Sequence, residues 1–408
     1  NTMITNISGN GIRPLSIQTS ARIQRVKPSP TLAVTALANQ LRAQGRDVIG
    51  LAAGEPDFDT PDHIKQAAIK AINNGMTKYT AVDGTAELKQ AIINKFKRDN
   101  GLDYAADQVI VSVGGKQAIY NLLQALLNPG DEVIIPAPYW VSYPDMVMLA
   151  DGEPVIVAGQ MNQAFKITAQ QLRDAITGRT RLVIINSPSN PSGKAYTRDE
   201  LKALADVLLE HPDIAILTDD IYEHILWTDE GFNNILNVCP ELKDRTLVVN
   251  GVSKAYSMTG WRIGYTGGPA DMIKGMKKVQ SQSTSNPCSI AQAAAQEALD
   301  GDQSFLAEMC QVFRDRHDFV YNTLHNMDGV ECLPSDGTFY SFPSFHAVIE
   351  RMDGIEDDVQ LAQLLLEKAE VALVPGSAFG LPGHIRLSFA TDMQSLEKAL
   401  SRIQEAIS

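Results

Sequence analysis

Short runs of aliphatic and β-branched residues recur between residues 109 and 249 and alternate with stretches of helical periodicity. The runs lie at 109–113, 131–136, 154–157, 182–185, 214–217 and 246–249. Helical patterns follow at 114–127, 168–177 and 197–209. Strands that alternate with helices form a mostly parallel sheet with helices on both faces, because each crossover connection covers the sheet. The pattern therefore predicts an α/β fold.

The two ends of the chain show different patterns. Toward the N-terminus, a strand is expected at 47–51, and Thr60 is placed to cap a helix that has Pro61 in its first turn. After about residue 300 the helical stretches carry more charge, and the segments 337–342 and 384–389 alternate between apolar and polar residues. We expect a smaller α+β domain there, packed with the N-terminal segment.

These patterns divide the chain into four parts. Residues 1–15 lack the basic region and the apolar core of a signal peptide and resemble a cloning-vector leader, so we expect them to lie outside the fold. Residues 16–60 form the N-terminal segment that packs with the small domain. Residues 61–299 form the large domain and residues 300–408 the small C-terminal domain.

Composition narrows the possible functions. The chain of 408 residues has 44% apolar and 20% charged residues and is therefore globular, and its net charge of −13 argues against a nucleic-acid-binding protein. No apolar run reaches the roughly 18–20 residues of a membrane helix. The four cysteines are far apart and form no C-x-x-C pair, which predicts neither a metal site nor disulfides and fits the cytoplasm.

Residues suited to chemistry lie at the predicted carboxyl ends of the strands, where parallel sheets bind ligands. They are Gly115, Trp140, Asn190, Asp219, Tyr222 and Lys254. Each has an ordinary explanation on its own, as a tight glycine connection, a packed aromatic residue or a solvated lysine. Their convergence on one edge of the sheet favours a binding site.

These residue types match the needs of pyridoxal phosphate. Lys254 can form an imine with the aldehyde of this cofactor. Asp219 can pair with the ring nitrogen, although the adjacent Asp220 competes for that role. Tyr222 and Asn190 can donate hydrogen bonds to the 3′-oxygen, which tunes the pKa of the imine.

The phosphate and a substrate carboxylate need further partners. The glycine turn at Gly115 and Lys116 can aim backbone N–H groups at a phosphate, together with Arg262, but it can also be a plain tight connection. Trp140 can stack on the cofactor ring. Arg386, in an otherwise apolar strand, can bind an α-carboxylate with its planar fork or can form a structural salt bridge.

The segment Ser253-Lys254, followed by Gly-Trp-Arg-Ile-Gly-Tyr at 260–265, resembles the cofactor-attachment motif of class I pyridoxal-phosphate aminotransferases of fold type I. The resemblance extends in order through 53–58, 78–79, 114–117, 138–140, 186–193, 219–224 and 385–388 and covers nearly the whole chain from about residue 20. Within the family the chain is most similar to the prokaryotic-type aspartate aminotransferases, the branch that includes enzymes acting on prephenate.

The resemblance implies a seven-stranded, mostly parallel sheet in the large domain and a cytoplasmic homodimer with shared active sites. It implies that Tyr79 reaches the phosphate of the partner subunit and that Gln117 and Ser253 belong to the cofactor site. Contacts to the amino-acid substrate are implied for Gly54, Trp140, Asn190 and Arg386. The implied reaction is ping-pong transamination of L-aspartate with 2-oxoglutarate through a Schiff base at Lys254, which also moves the proton between Cα and C4′.

Two positions depart from the family pattern. Gly251 stands where many relatives have a phosphate-binding serine, so Ser253 or backbone groups are expected to compensate. The stretch 281–287 lacks the arginine that binds the distal carboxylate in the other main branch. Lys116 is the expected substitute, helped by Ser29 and Thr31, unless it is only a lysine at a helix start.

Three functions are therefore open. The first is an aspartate aminotransferase. The second is another enzyme on the same scaffold, namely a prephenate or aromatic aminotransferase or a β-lyase. The third is a non-catalytic binding or regulatory protein that retains the fold.

Overall fold

The computed structural model describes residues 17–408, and the expected leader at 1–15 lies outside this range. Twelve strands lie within the described residues. They are β1 (Ile49–Gly50), β2 (Val109–Ser112), β3 (Glu132–Ala137), β4 (Glu153–Ala158), β5 (Thr180–Asn186), β6 (Ala215–Asp219), β7 (Thr246–Gly251), β8 (Gly264–Gly267), β9 (Tyr340–Ser341), β10 (Val371–Ala372), β11 (Val374–Pro375) and β12 (Ile385–Ser388).

Fifteen α-helices lie within the same range. They are α1 (Ala21–Gln24), α2 (Pro30–Ala43), α3 (Asp62–Asn73), α4 (Ala86–Asn100), α5 (Gly114–Leu126), α6 (Ser142–Leu149), α7 (Ala169–Ala175), α8 (Arg198–Leu209), α9 (Ile235–Val238), α10 (Ala270–Ser281), α11 (Ser289–Asp300), α12 (Phe305–His325), α13 (His346–Arg351), α14 (Asp358–Lys368) and α15 (Met393–Ile407).

Seven strands form one sheet in the order β2-β8-β7-β6-β5-β3-β4. All neighbouring pairs are parallel except β2 with β8 and β7 with β8. The mostly parallel α/β sheet predicted from the sequence is thus confirmed. Because only β8 runs against its neighbours, the carboxyl ends of β2, β3, β5, β6 and β7 meet at one edge.

Apart from the edge strand β4, the strands of this sheet are buried on both faces, as their continuous apolar runs require. In β5, Ile184 packs into one apolar cluster, whereas Val183 and Ile185 pack into the cluster on the opposite face. The sheet is therefore a rigid support between two layers of apolar side chains, and the side chains that follow its strands are held in fixed positions.

Strand β8 was not predicted, because two of the four residues in its Gly-Tyr-Thr-Gly sequence are glycines, which are depleted in strands. Its position explains its composition. A Cβ atom at Gly264 would lie 2.4 Å from the backbone of Gly114 and Gly115, at the start of α5. Only glycine allows β8 and the turn after β2 to approach this closely.

The segment before residue 60 contacts the C-terminal part of the chain. Strand β1 pairs in parallel with β10, and β9, β11 and β12 form a small antiparallel sheet. The strands predicted at 47–51 and 337–342 are shorter than expected, because each pairs over only two residues. The division into 16–60, 61–299 and 300–408 stays a prediction.

The predicted cap at Thr60 is wrong. Pro61 occupies the N-cap position of α3, and no side chain caps this helix. The Thr60 hydroxyl instead donates to the backbone oxygen of Ser257 at 2.6 Å and accepts from Nε1 of Trp261 at 3.0 Å. Thr60 therefore links the start of α3 to the loop that carries Lys254.

Among residues 17–408, no helix combines the length and the apolar composition that crossing a membrane requires.

Candidate active site

A cavity of about 470 Å³ lies at the carboxyl edge of the large sheet. Most of the residues proposed from the sequence line it. They are Gly54, Gly115, Lys116, Trp140, Asn190, Asp219, Tyr222, Ser253, Lys254, Arg262 and Arg386. Its volume is in the range of sites for small-molecule ligands and cofactors.

Lys254 follows the end of β7 and reaches into this cavity. Its Nζ donates to the backbone oxygen of Gly54. Burial and the positive charges of Arg386 and Arg262 lower the pKa of Lys254 to about 8. A substantial fraction of this amine is therefore neutral near physiological pH and can act as a nucleophile or a base.

Asp219 ends β6 and presents a buried carboxylate. Its Oδ2 accepts a hydrogen bond of 2.6 Å from the hydroxyl of Tyr143. Its Oδ1 has only a long contact of 3.4 Å from the backbone N–H of Ile221. Burial raises the pKa of Asp219, and the bond from Tyr143 opposes this rise. A cationic N–H group in the cavity would stabilise this carboxylate in its ionised form.

The competing carboxylate, Asp220, does not line the cavity. It accepts 2.6 Å hydrogen bonds from the Thr218 hydroxyl and from Nδ2 of Asn234. Burial and the charge of Glu223 raise the pKa of Asp220 to about 7. Of the two neighbouring carboxylates, only Asp219 is placed to meet a ligand.

Positive groups gather around the start of α5. Val113 provides no side-chain cap for this helix, so the first N–H groups of α5 lack a side-chain acceptor there. The guanidinium of Arg262 lies above the turn, where a Cβ atom at Gly114 would approach its Nη2 to 2.2 Å. Burial of the Lys116 side chain and the positive charge of Arg262 lower the pKa of Lys116. A helix N-terminus and two cations at one place form a site for an anion such as phosphate.

Gly251 leaves no room for a side chain at this position. A Cβ atom there would lie 2.9 Å from the backbone oxygen of Ile263 and 3.1 Å from Cα of Gly264. Ser253 lines the cavity, so its hydroxyl is the nearer candidate for the missing contact.

Arg386 lies in β12 and is 2% exposed. Its Nη1 donates to Oδ1 of Asn190 at 2.9 Å, its Nη2 donates to the backbone oxygen of Ala52 at 2.6 Å, and its Nε has no partner in the part of the chain that the structure describes. No carboxylate within residues 17–408 forms an ion pair with it, so the alternative of a structural salt bridge is not supported. A buried guanidinium without a counter-ion is prepared for an anionic ligand.

Aromatic residues enclose the cavity. The rings of Trp140 and Tyr143 pack edge to face with centroids 5.3 Å apart, and Nζ of Lys116 lies 5.0 Å from the Trp140 ring. The hydroxyls of Tyr222 and Tyr340 are 2.9 Å apart and share a hydrogen bond. Burial raises the pKa of Tyr222, so this hydroxyl is protonated and can donate.

Two residues predicted for the cofactor site lie outside the cavity. The side chain of Gln117 accepts from the backbone N–H of Val113 at 2.6 Å and donates to the Thr284 hydroxyl at 2.7 Å, and its predicted contact with the cofactor stays a prediction. Tyr79 is 91% exposed, on the loop between α3 and α4. Its predicted contact concerns a partner subunit and stays a prediction.

Sequence reasoning missed three residues of the site. Asn186 ends β5, its Nδ2 donates to the backbone oxygen of Asp219 at 2.9 Å, and its Oδ1 accepts from the backbone N–H of Asn190 at 3.0 Å. The strand-end rule that selected Asp219 would also have selected it. Tyr143 follows Trp140 by three residues, a weak signal, and Tyr340 comes from a distant segment without any signal.

Comparisons with known proteins identify relatives that cover almost the whole chain. The family model described as aminotransferase class I and II matches residues 46–403. A protein named aspartate/prephenate aminotransferase from Nitrosomonas europaea is 58% identical over 394 residues, which are 95% of this chain and 99% of the relative.

Solved structures agree with these sequence matches. The crystal structure of the aspartate aminotransferase from Rhizobium meliloti superposes with a TM-score of 0.93 at 50% identity, covering 96% of this chain and 99% of that one. The aspartate aminotransferase from Thermus thermophilus with maleate has a TM-score of 0.90 at 44% identity, covering 96% of this chain and 100% of that one.

Proposed function

Because the chain belongs to the class I and II aminotransferases, we propose that it transfers the amino group of L-aspartate to 2-oxoglutarate with pyridoxal phosphate as its cofactor. The products are oxaloacetate and L-glutamate. The observation that carries the proposal is the buried, unpaired guanidinium of Arg386 in the same cavity as Lys254 and Asp219.

The residues of the cavity fit the cofactor. Arg262 and the N-terminus of α5 would hold its phosphate, and Asp219 would hold its ring nitrogen through Oδ1, which has only the long contact from Ile221. Asn190 and Tyr222 would donate to its ring oxygen. Trp140 would cover one face of the ring. When bound, pyridoxal phosphate supplies an electron-withdrawing ring that stabilises negative charge on the substrate α-carbon.

Lys254 has two tasks in this proposal. Its Nζ would be the point of covalent attachment for the cofactor. As a free amine, Lys254 would remove the proton from the substrate α-carbon and hold it at Nζ for return as a general acid. The lowered pKa of about 8 supports this role, since a base works best when its pKa is close to the working pH.

The substrate is held by its carboxylates. Arg386 would take the α-carboxylate, since a guanidinium has five N–H donors and the described contacts of Arg386 use two of them. Lys116 would take the distal carboxylate, assisted by Ser29 and Thr31, which line the same cavity. The Thermus relative was solved with maleate, a dicarboxylate, which supports a site for two carboxylates.

The alternative function is the amination of prephenate, alone or beside that of aspartate. It is supported by the name of the Nitrosomonas relative and by the apolar side chains of Leu32, Ile119 and Ile221 in the cavity wall, which suit a substrate with a ring. Prephenate also carries two carboxylates, so the charged groups of the site do not discriminate between aspartate and prephenate.

A panel of substrates tests the proposal. Purified protein loaded with pyridoxal phosphate is assayed with 2-oxoglutarate and, in turn, aspartate, alanine, phenylalanine and tyrosine, and with glutamate as donor and prephenate as acceptor. We expect the highest kcat/KM with aspartate. Transfer only with prephenate selects the alternative, and no transfer with any pair overturns the proposal.

We expect Lys116→Ala to lower kcat/KM for aspartate by about tenfold to a hundredfold and to change that for alanine or phenylalanine by less than about threefold. The physical reason is the loss of one charge-assisted contact, worth roughly 1.5–3 kcal/mol, that only a dicarboxylate makes. Lys70→Ala, which removes an exposed lysine from α3, serves as the control. An equal loss for all donors would assign Lys116 to the phosphate alone.

The proposed working unit is a homodimer. The loop that carries Tyr79 is fixed from within the chain, because Oε1 of Gln292 accepts from the backbone N–H of Thr85 at 2.8 Å and its Nε2 donates to the Thr80 hydroxyl at 3.0 Å. The exposed phenol of Tyr79 is therefore held in a defined place where a second copy could receive it. A cytoplasmic location is proposed with it, since all four cysteines are free thiols.

A further inference from the structure

A group of buried polar side chains lies behind the active-site cavity and does not line it. Lys95, on α4, and Glu223, which follows Tyr222 in the chain, are 1% and 6% exposed and form a hydrogen-bonded ion pair. Such buried charges are rare unless they are paired, and the proposed reaction uses neither of them.

The Glu223 carboxylate accepts hydrogen bonds from three residues on two separate segments of the chain. Its Oε1 accepts from Lys95 and, at 2.8 Å, from Nδ2 of Asn250, while its Oε2 accepts from Nδ2 of Asn100 at 2.7 Å. Lys95 also donates to Oδ1 of Asn100 at 2.6 Å. Lys95 and Asn100 belong to α4, and Asn250 belongs to the end of β7.

The same carboxylate is close in sequence to the residues that act on the cofactor. Glu223 lies, with Tyr222, in the turn that follows β6, whose last residue is Asp219. Asn250 precedes Lys254 by four residues, and its own Oδ1 accepts from the backbone N–H of Gly251 at 2.8 Å. Glu223 therefore connects two segments. One is the turn that would hold the cofactor ring, and the other is strand β7, which precedes Lys254.

The charge state and the surroundings of Glu223 are favourable for this task. Burial alone would raise the pKa of Glu223, but the charges of Lys95 and His224 and the hydrogen bonds from Lys95 and Asn100 keep it below its usual range. His224 and Asp99 lie on the outer side of the cluster, with Nε2 of His224 3.5 Å from both carboxylates. The carboxylate is thus ionised and held in one orientation.

Stability alone does not explain the pair. A buried ion pair contributes little to the free energy of folding, because the desolvation of both charges offsets their attraction, and an apolar pair of similar volume is often as stable. A carboxylate with several directional contacts does fix the relative position of the segments that it joins.

We propose that Glu223, oriented by Lys95, is a positioning residue that sets the separation between Lys254 and the pair Asp219 and Tyr222. The inference rests on the proposed transamination and deepens it. Catalysis depends steeply on such separations, since a displacement of about 1 Å can lower a rate by roughly a hundredfold.

The experiment compares Glu223→Gln with Glu132→Gln in the full chain loaded with pyridoxal phosphate. Glu132 is also a buried carboxylate, bonded to Arg179 and Thr177 at 2.7 Å, but it begins β3 at the opposite edge of the sheet. We expect Glu223→Gln to lower kcat by about tenfold or more, with little change in KM. The rate of cofactor attachment to Lys254, followed by absorbance from the cofactor-free chain, should fall in parallel.

Glu132→Gln should leave both rates unchanged. A Glu223→Gln protein with normal kcat and normal attachment rate overturns the inference while the proposed function stands. Failure of the unsubstituted protein to attach cofactor or to transaminate counts against the proposed function instead.

A second variant covers the case in which Glu223→Gln does not fold. Lys95→Met combined with Glu223→Leu removes both charges and keeps the buried volume, so it leaves no unpaired buried charge, although the amides of Asn100 and Asn250 lose their acceptor. We expect the same loss of kcat and of attachment rate in it. Normal rates in this folded double variant would show that the pair is only structural and would overturn the inference.

Discussion

Lys254→Ala is expected to lower the rate of transamination by about a thousandfold or more. General acid–base catalysis by a positioned side chain contributes roughly 10²–10⁴-fold, and the covalent attachment of the cofactor is lost as well. The cofactor should still bind without a covalent bond, since Arg262, the N-terminus of α5 and Asp219 are unchanged. The measurement is a steady-state assay with aspartate and 2-oxoglutarate, together with the absorbance of the bound cofactor.

The matched control is Lys254→Arg. A guanidinium keeps the positive charge but does not lose its proton at accessible pH, so it cannot act as the base. We expect it to be as inactive as the alanine variant. A rate within tenfold of the unsubstituted protein in either variant would remove Lys254 from the mechanism.

Arg386→Lys is expected to lower kcat/KM for both aspartate and 2-oxoglutarate by roughly a hundredfold or more. Both substrates carry the α-carboxylate that the guanidinium would bind with two parallel hydrogen bonds, and an ammonium cannot reproduce this fork. Truncation of one partner of a buried charged contact costs about 2–5 kcal/mol, which corresponds to this range. The KM values for the two substrates should rise together.

The control for this variant is Arg316→Lys. Arg316 is also a mostly buried arginine, but its fork is already occupied by both oxygens of Asp57, at 2.7 and 2.8 Å. We expect this change to lower the melting temperature and to leave the KM values within about twofold. If Arg386→Lys leaves both KM values unchanged, the α-carboxylate is bound elsewhere.

Much of the fold and the site could be predicted because their signals are local. A β-branched run followed by a polar residue places Asp219 and Lys254 at strand ends without knowledge of any contact. The parallel sheet then brings these ends together. The same rule applies to Asn186, which ends β5 in the same way.

The remainder depended on contacts between distant segments. Tyr340 reaches Tyr222 from 118 residues away, and nothing in its local sequence distinguishes it from a core tyrosine. Strand β8 has a glycine-rich sequence that is explained only by the backbone lying beside it. The capping prediction at Thr60 failed because its hydroxyl bonds instead to Ser257 and Trp261, which lie 197 and 201 residues away in the sequence.

The backbone contact between β8 and the turn after β2 also limits how this protein can change during evolution. The obstacle to a methyl group at Gly264 is main-chain atoms of Gly114 and Gly115, which every amino acid carries. No compensating substitution on the opposite side can therefore relieve it. Variant libraries that aim to change the substrate range should keep Gly264 and Gly114 invariant. Their substitutions belong at residues whose side chains line the cavity, such as those on α2.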